Sequence, residues 1–214
     1  MNENKPTGKG TILAFSLLVI LYALDQATKW YVVTHYNMPD PIFNTFFDGT
    51  RVLSENGLLH FYIIRIHNTG VAFGLGNGTS WAPFVFLGVQ VVALIVLIWL
   101  YVKGYFRTLA LKIAWALVMV GVLGNMTDRL LQGFFLPGVQ DLGFFSKLRL
   151  GYVVDFLDFS FPWIKTEAFP QGYHWPTFNV ADSCVCIAAA IFIIIAFFFD
   201  EKEDKAKPEN TADH

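Results

Sequence analysis

Four long apolar runs divide the chain, and the residues between them follow different rules. The first run begins after a polar stretch at 1–10 and carries no charge over 11–24. It then continues as Tyr22-Ala-Leu-Asp25-Gln-Ala-Thr-Lys29-Trp30-Tyr31 with no helix breaker. A cleaved leader shows a small-residue cleavage site after its apolar core. This run instead keeps going for the roughly 20 residues that cross a bilayer as a helix. It is therefore predicted to be an uncleaved first span over 11–33, with Trp30 and Tyr31 in the aromatic belt at its far interface. Residues 81–102 contain no charged side chain and are predicted to form the second span. The third is predicted over 109–131 and the fourth over 178–199.

Between the spans the pattern changes. In 34–80, Pro39, Pro41 and several Asn and Asp residues break helical periodicity. Residues 58–67 (LLHFYIIRIH) are rich in aromatic and β-branched types, a strand signal. They are followed by a turn-rich stretch with Gly70, Gly74, Gly76 and Gly78. A small β-cradle lying on the bilayer is expected over 34–80, a second outer loop over 132–176, and a disordered mixed-charge tail over 200–214. The expected fold class is an α-helical integral membrane protein. It comprises four transmembrane helices, a small extracytoplasmic β-cradle and a second extracytoplasmic loop, in a single membrane domain over 1–214.

Composition agrees. The chain is 55% hydrophobic and 15% charged, against roughly 25% charged in ordinary globular domains, and its mean hydropathy is +0.48. A net charge of −2 gives no reason to expect a nucleic-acid partner. Cys184 and Cys186 lie two apart in the last apolar run, so on a helix they point in different directions and read as small core hydrophobes.

Four spans place both termini on one side. Lys5, Lys9, Lys103, Arg107, Lys112, Lys202, Lys205 and Lys207 lie in the N-terminal stretch, the 101–112 connection and the tail. The two longer connections hold Arg51, Arg65, Lys147, Arg149 and Lys165. The bias makes both termini cytoplasmic. In that orientation Asp25 and Lys29, Asn125, Asp128 and Arg129, and Asn179 and Asp182 all fall at the outer ends of their helices. A pore or proton path distributes polar groups through the membrane thickness; a cluster at one depth reads as a site near the outer leaflet.

Within that cluster, Asp155 and Asp182 are the candidate catalytic pair, with Asp158 a competitor that spacing alone does not separate from Asp155. Two carboxylates in a confined site resist ionising together and can hold one proton between them. One then acts as base on a water while the other, as acid, polarises a carbonyl. The plainer alternatives are a helix cap for Asp182 and an exposed loop acid for Asp155. Asn125 and Arg129 share a helix face, and Asp128 beside them suggests structural support. Asp25 and Lys29, also four apart, form an intrahelical pair or a functional one. His35, His60, His67 and His174 show no metal-ligand spacing, and no serine elbow is present. No metal or cofactor is expected. The rival classes are a membrane transporter, a lipid-binding protein and a non-enzymatic assembly factor.

Five blocks carry a resemblance. They are Asp25-Gln-Ala-Thr-Lys29, Asn68-Thr-Gly70-Val-Ala72-Phe-Gly74, Gly124-Asn125-Met-Thr-Asp128-Arg129, Val154-Asp155-Phe156 and Phe178-Asn179-Val-Ala181-Asp182. In this order they resemble the bacterial lipoprotein signal peptidases (signal peptidase II), intramembrane aspartyl proteases of the bacterial inner membrane. The resemblance implies Asp155 and Asp182 as the catalytic dyad. Asn68, Asn125, Arg129 and Asn179 would form the supporting polar shell, with Asp25, Lys29, Gly70, Asp128 and Ala181 in the same matched blocks. It implies as substrate a prolipoprotein carrying diacylglycerol on its cysteine, cleaved on the N-terminal side of that cysteine amid membrane lipid. It also implies a short amphipathic element on the outer face. The chain departs from the family pattern in a longer stretch over 130–154, an extended stretch over 158–176, and Val120-Gly121-Val122 where paired glycines are common.

Overall fold

The computed structural model describes residues 8–38, 50–52, 57–70, 79–167, 169–170 and 172–204, with the backbone alone at 51 and 198–204. The expected turn at 71–78, with Ala72 and Gly74 of the second block, lies outside the described residues, as do Pro39, Pro41 and the tail at 205–214.

Four helices among the described residues are long and apolar enough to cross a membrane. They are α1 (Gly8–His35), α2 (Ala82–Val102), α3 (Leu109–Leu131) and α5 (Val180–Asp204). Helices suit this environment because every backbone polar group within a span is bonded inside the segment. The last helix runs on to Asp204, so the expected tail at 200–214 is helical over its first residues. No proline or glycine interrupts it there.

Helix α3 is the central element, with α1, α2 and α5 packed around it. Thr108 caps its start by accepting the Leu111 N–H at 3.2 Å. Ala114, Leu117 and Val120 of α3 pack with Cys184 and Ala188 of α5. On another side, Trp115, Ala116 and Met119 pack with Ala14 of α1 and with Leu94 and Leu97 of α2. Trp115 also donates its indole N–H to the Leu97 carbonyl at 3.1 Å. Only Ala82 and Pro83 of α2 are buried. Its exposed Val89, Val92, Ile95 and Trp99 present the apolar surface that lipid covers. Close approach of α3 to α1 and α5 depends on Gly124. A Cβ there would lie 2.5 Å from Asp25 Oδ2 and 3.0 Å from the Ala181 Cβ.

One antiparallel sheet, ordered β1-β2-β3-β4, sits at the end of the bundle where α1 and α3 finish and α5 begins. Its strands are β1 (Thr50–Arg51), β2 (His60–Asn68), β3 (Val153–Phe161) and β4 (Tyr173–His174). The expected cradle at 34–80 is thus only half of the sheet; β3 and β4 come from the stretch expected to be a second loop. Helix α4 (Phe144–Arg149) precedes β3. Between Ile63 and Ile66 of β2 the register slips by one residue against Leu157 and Asp155 of β3, a bulge. Val32 of α1 packs with Tyr152, Val154 and Phe156, fastening the sheet to the bundle. Gly151 lets the chain enter β3 directly beneath α3, since a Cβ there would collide with the Arg129 carbonyl.

Candidate active site

The junction between β3 and α5 brings the site together. Phe178 lies beside Leu157 as an isolated antiparallel bridge. Its carbonyl accepts the N–H groups of Phe156 (3.1 Å) and Leu157 (2.8 Å). The next residue, Asn179, therefore lies alongside Asp155.

Asn179 also starts α5. Its Oδ1 accepts the Asp182 N–H at 2.9 Å, and Asp182 Oδ2 accepts the Asn179 N–H at 3.2 Å. This is a reciprocal capping box with the carboxylate three residues into the helix. The cap is Asn179, and Asp182 keeps its other oxygen for Asn125, whose Nδ2 donates to Oδ1 at 2.8 Å.

Asp155 is 3% exposed. Its Oδ1 accepts Asn179 Nδ2 at 2.8 Å and its Oδ2 accepts Asn68 Nδ2 at 2.9 Å. Burial first, and then the nearby charge of Asp182, pushes the Asp155 carboxyl up to about 8. Asn179 thus serves both carboxylates, one through its side chain and one through its backbone. The plainer alternative of an exposed loop acid at Asp155 does not hold; it is a buried strand residue. Asp158 sits three residues along β3, on the opposite face. It pairs with His174 Nδ1 at 2.9 Å and accepts Thr177 Oγ1 at 3.4 Å, away from Asp182.

Lys29 forms more than an intrahelical pair. Its buried ammonium lies 2.9 Å from Asp25 Oδ2 and 3.0 Å from Asp128 Oδ2, and donates to Asn125 Oδ1 at 2.9 Å. Three acceptors match the three protons of the ammonium. Each acid then reaches onward. Asp25 Oδ1 accepts the Ala181 N–H at 2.8 Å, and Asp128 Oδ2 accepts the Val154 N–H at 3.0 Å. Those two amides are the immediate chain neighbours of Asp182 and Asp155. The network from α1 and α3 so holds the backbone on which each carboxylate stands. Asp128 pairs with Lys29 and not with its neighbour Arg129.

Arg129 points its guanidinium to the end of β2. It donates to the Thr69 carbonyl at 3.3 Å and to the Gly70 carbonyl, and lies over the Phe86 ring at 5.3 Å. Asn68 Oδ1 in turn accepts the Gly70 N–H at 3.0 Å, an Asx turn that aims its amide at Asp155. Gln26 was not singled out from the sequence. Its Nε2 donates to Asp25 Oδ2 at 3.1 Å and to the Gly124 carbonyl at 3.2 Å. An amide inside a span, next to an acid, was the available signal. Among the described residues no three His, Cys, Asp or Glu side chains converge in a way that could hold a metal ion.

Comparison with known proteins bears on this arrangement. The family model described as signal peptidase (SPase) II matches residues 17–198. A lipoprotein signal peptidase of Alteromonas mediterranea is 30% identical over 195 residues, covering 91% of this chain and 84% of that protein. One of Francisella tularensis subsp. novicida is 30% identical over 204 residues, covering 94% and 99%. A solved structure described as a bacterial membrane enzyme, obtained by the in meso method at 2.3 Å resolution, superposes with a TM-score of 0.60 at 26% identity, covering 92% of this chain and 94% of the other. With the model and the relatives matching over nearly the whole chain, this multi-pass bacterial inner-membrane protein belongs to the signal peptidase II family, the proteases that remove signal peptides from lipoproteins.

Proposed function

We propose that Asp155 and Asp182 are the catalytic dyad of this protease and that they cleave by activating a water. The observation that carries this reading is that a single residue, Asn179, bonds both carboxylates across the β3–α5 junction. At neutral pH the Asp155 carboxyl, raised to about 8, holds a proton, and Asp182 serves as the base. Asp182 takes a proton from the water as its oxygen attacks the scissile carbonyl carbon, and Asp155 donates its proton to the carbonyl oxygen. The tetrahedral intermediate then collapses, the C–N bond breaks and the leaving nitrogen takes up a proton. Asn68, Asn125 and Asn179 hold the two carboxylates, Asp25, Lys29, Asp128 and Ala181 hold their backbone, and Arg129 with Gly70 steadies the end of β2.

The substrate is a prolipoprotein bearing diacylglycerol on its cysteine, cut on the N-terminal side of that cysteine. Both termini are cytoplasmic and the dyad lies near the outer leaflet. The distribution of Lys and Arg supports that orientation. There the signal helix lies in the bilayer while the lipid chains remain in the leaflet that the sheet faces.

The test follows signal-peptide release from a diacylglyceryl-modified prolipoprotein by the purified protein. Asp155→Asn and Asp182→Asn each lower the rate by about a thousandfold with the thermal midpoint retained. Asp158→Asn keeps most of the rate. Cleavage that survives both of the first two substitutions overturns the assignment.

A further inference from the structure

Asp158 is a buried acid that the cleavage step does not use. It is 1% exposed and stands on β3 three residues beyond Asp155, on the other face of the strand. Its two oxygens grip one short segment of chain. Oδ2 accepts His174 Nδ1 at 2.9 Å, and Oδ1 accepts Thr177 Oγ1 at 3.4 Å. A carboxylate only accepts, so His174 donates from Nδ1. That proton is present in the charged ring and in one neutral tautomer, so the grip does not need a charged imidazole.

The segment so held leads into the dyad. Trp175 gives its N–H to the Phe159 carbonyl at 2.8 Å, and Pro176 after it has no N–H to give. Phe178 then bridges to Leu157, and Asn179 bonds both Asp155 and Asp182. Backbone pairing does not choose this register, because every residue but proline offers the same donor and acceptor. A slip of one residue would turn the Asn179 side chain away from Asp155. Asp158 does discriminate. Only in the observed register do His174 and Thr177 both reach it, and in a slipped one a buried carboxylate loses its donors, which is costly.

We propose that Asp158, His174 and Thr177 are positioning residues for the cleavage reaction. They fix the register of the segment from Tyr173 to Phe178 on β3, and so hold Asn179 and Asp182 at working distance from Asp155. The proposal rests on the protease reading above. It has a consequence beyond rate. The charged groups that act on Asp155 are Asp182 of α5, Lys29 of α1 and Arg129 of α3. Burial, and then Asp182, hold the Asp155 carboxyl at about 8. Loosening the segment hydrates Asp155 and moves Asp182 away, and both changes lower that value.

The experiment follows cleavage of a diacylglyceryl-modified prolipoprotein by the full-length protein in micelles, as kcat, KM and the pH dependence of kcat, with the thermal midpoint of each variant. Asp158→Leu, His174→Phe and Thr177→Val remove the grip. Asp158→Asn, His174→Asn and Thr177→Ser keep a hydrogen bond at each place. The first set lowers kcat by about tenfold, the scale of a sub-ångström misplacement, with KM unchanged and the alkaline limb of the profile moved to lower pH. The second set keeps most of kcat and the wild-type limb. The inference is overturned if the first set loses thermal stability while the folded enzyme keeps its kcat and its limb, for the grip is then structural only. It is also overturned if the loss appears in KM, or if each conservative variant is as slow as its partner. A wild type that cleaves nothing removes the protease reading itself, and this inference with it.

Discussion

Lys29 carries more of this site than any other single side chain. Its ammonium neutralises Asp25 and Asp128, and all three side chains are fully buried. Lys29→Met leaves two buried acids without their cation, and breaking a buried ion pair typically costs about 3–5 kcal/mol. Unfolding in mixed micelles measures this loss; one below about 1 kcal/mol would mean that the acids are neutral. Asp155 makes a second prediction. Its folded pKa of about 8 lies above the ordinary value of 3.8 for an aspartate. Between these values the folded state binds more protons than the unfolded one, so stability is greatest below the lower value and falls as pH rises towards about 8. The thermal midpoint of the wild type should decline across that window, and Asp155→Asn should flatten the decline. Activity should fall above about pH 8 as the proton on Asp155 is lost. A midpoint with the same slope in both proteins would detach Asp155 from the titration. At this scale the sequence singled out most of the polar side chains that the fold brings together, because charged and amide side chains inside apolar runs are conspicuous. Their pairing was not legible. Asp128 and Lys29 are 99 positions apart in the chain, and only the folded bundle lets them meet.

At the scale of elements, contact between α3 and its neighbours sets the site. Gly124→Ala would press a methyl group against Asp25 Oδ2 and the Ala181 Cβ. Overpacking of this kind costs roughly 1–3 kcal/mol, and here it also disturbs the Asp25 bond to the Ala181 N–H that supports the first turn of α5. A lower thermal midpoint together with slower cleavage is expected. Gly88→Ala in α2 is the control, because nothing lies within 4 Å of a Cβ at that position. If both alanine variants behave alike, close packing at Gly124 is not what positions Asp25. Helices α1, α2, α3 and α5 were legible because a bilayer span needs a long apolar run. Strand β2 was legible from its aromatic and β-branched residues. Strand β3 was not, although Val153-Val-Asp-Phe-Leu-Asp-Phe-Ser-Phe161 is equally rich in them. Its two acids interrupt the apolar pattern, and each is accommodated only through a partner from elsewhere: Asn68 and Asn179 for Asp155, and His174 for Asp158.

Across the whole molecule, the sheet and the polar network occupy one end of the bundle, and the short 101–112 connection with its three basic residues occupies the other. Thr166→Cys, in the exposed β3–β4 connection, should react with a membrane-impermeant thiol reagent in spheroplasts. Lys103→Cys should react only after the membrane is opened. The reverse pattern would invert the orientation and place the dyad at the cytoplasmic face. The amino-acid sequence by itself determined the membrane class, the four spans, their sidedness as an expectation and the family, because each rests on local composition or on the order of short blocks. Tertiary structure alone decided that the second connection completes the sheet, that Asp155 rather than Asp158 faces Asp182, and that a three-acceptor lysine holds the backbone beside both. These outcomes depend on register and on contacts between distant segments. One residue of slip in a strand reverses which face a side chain takes, and hydrophobic pattern does not set which buried acid meets which buried cation.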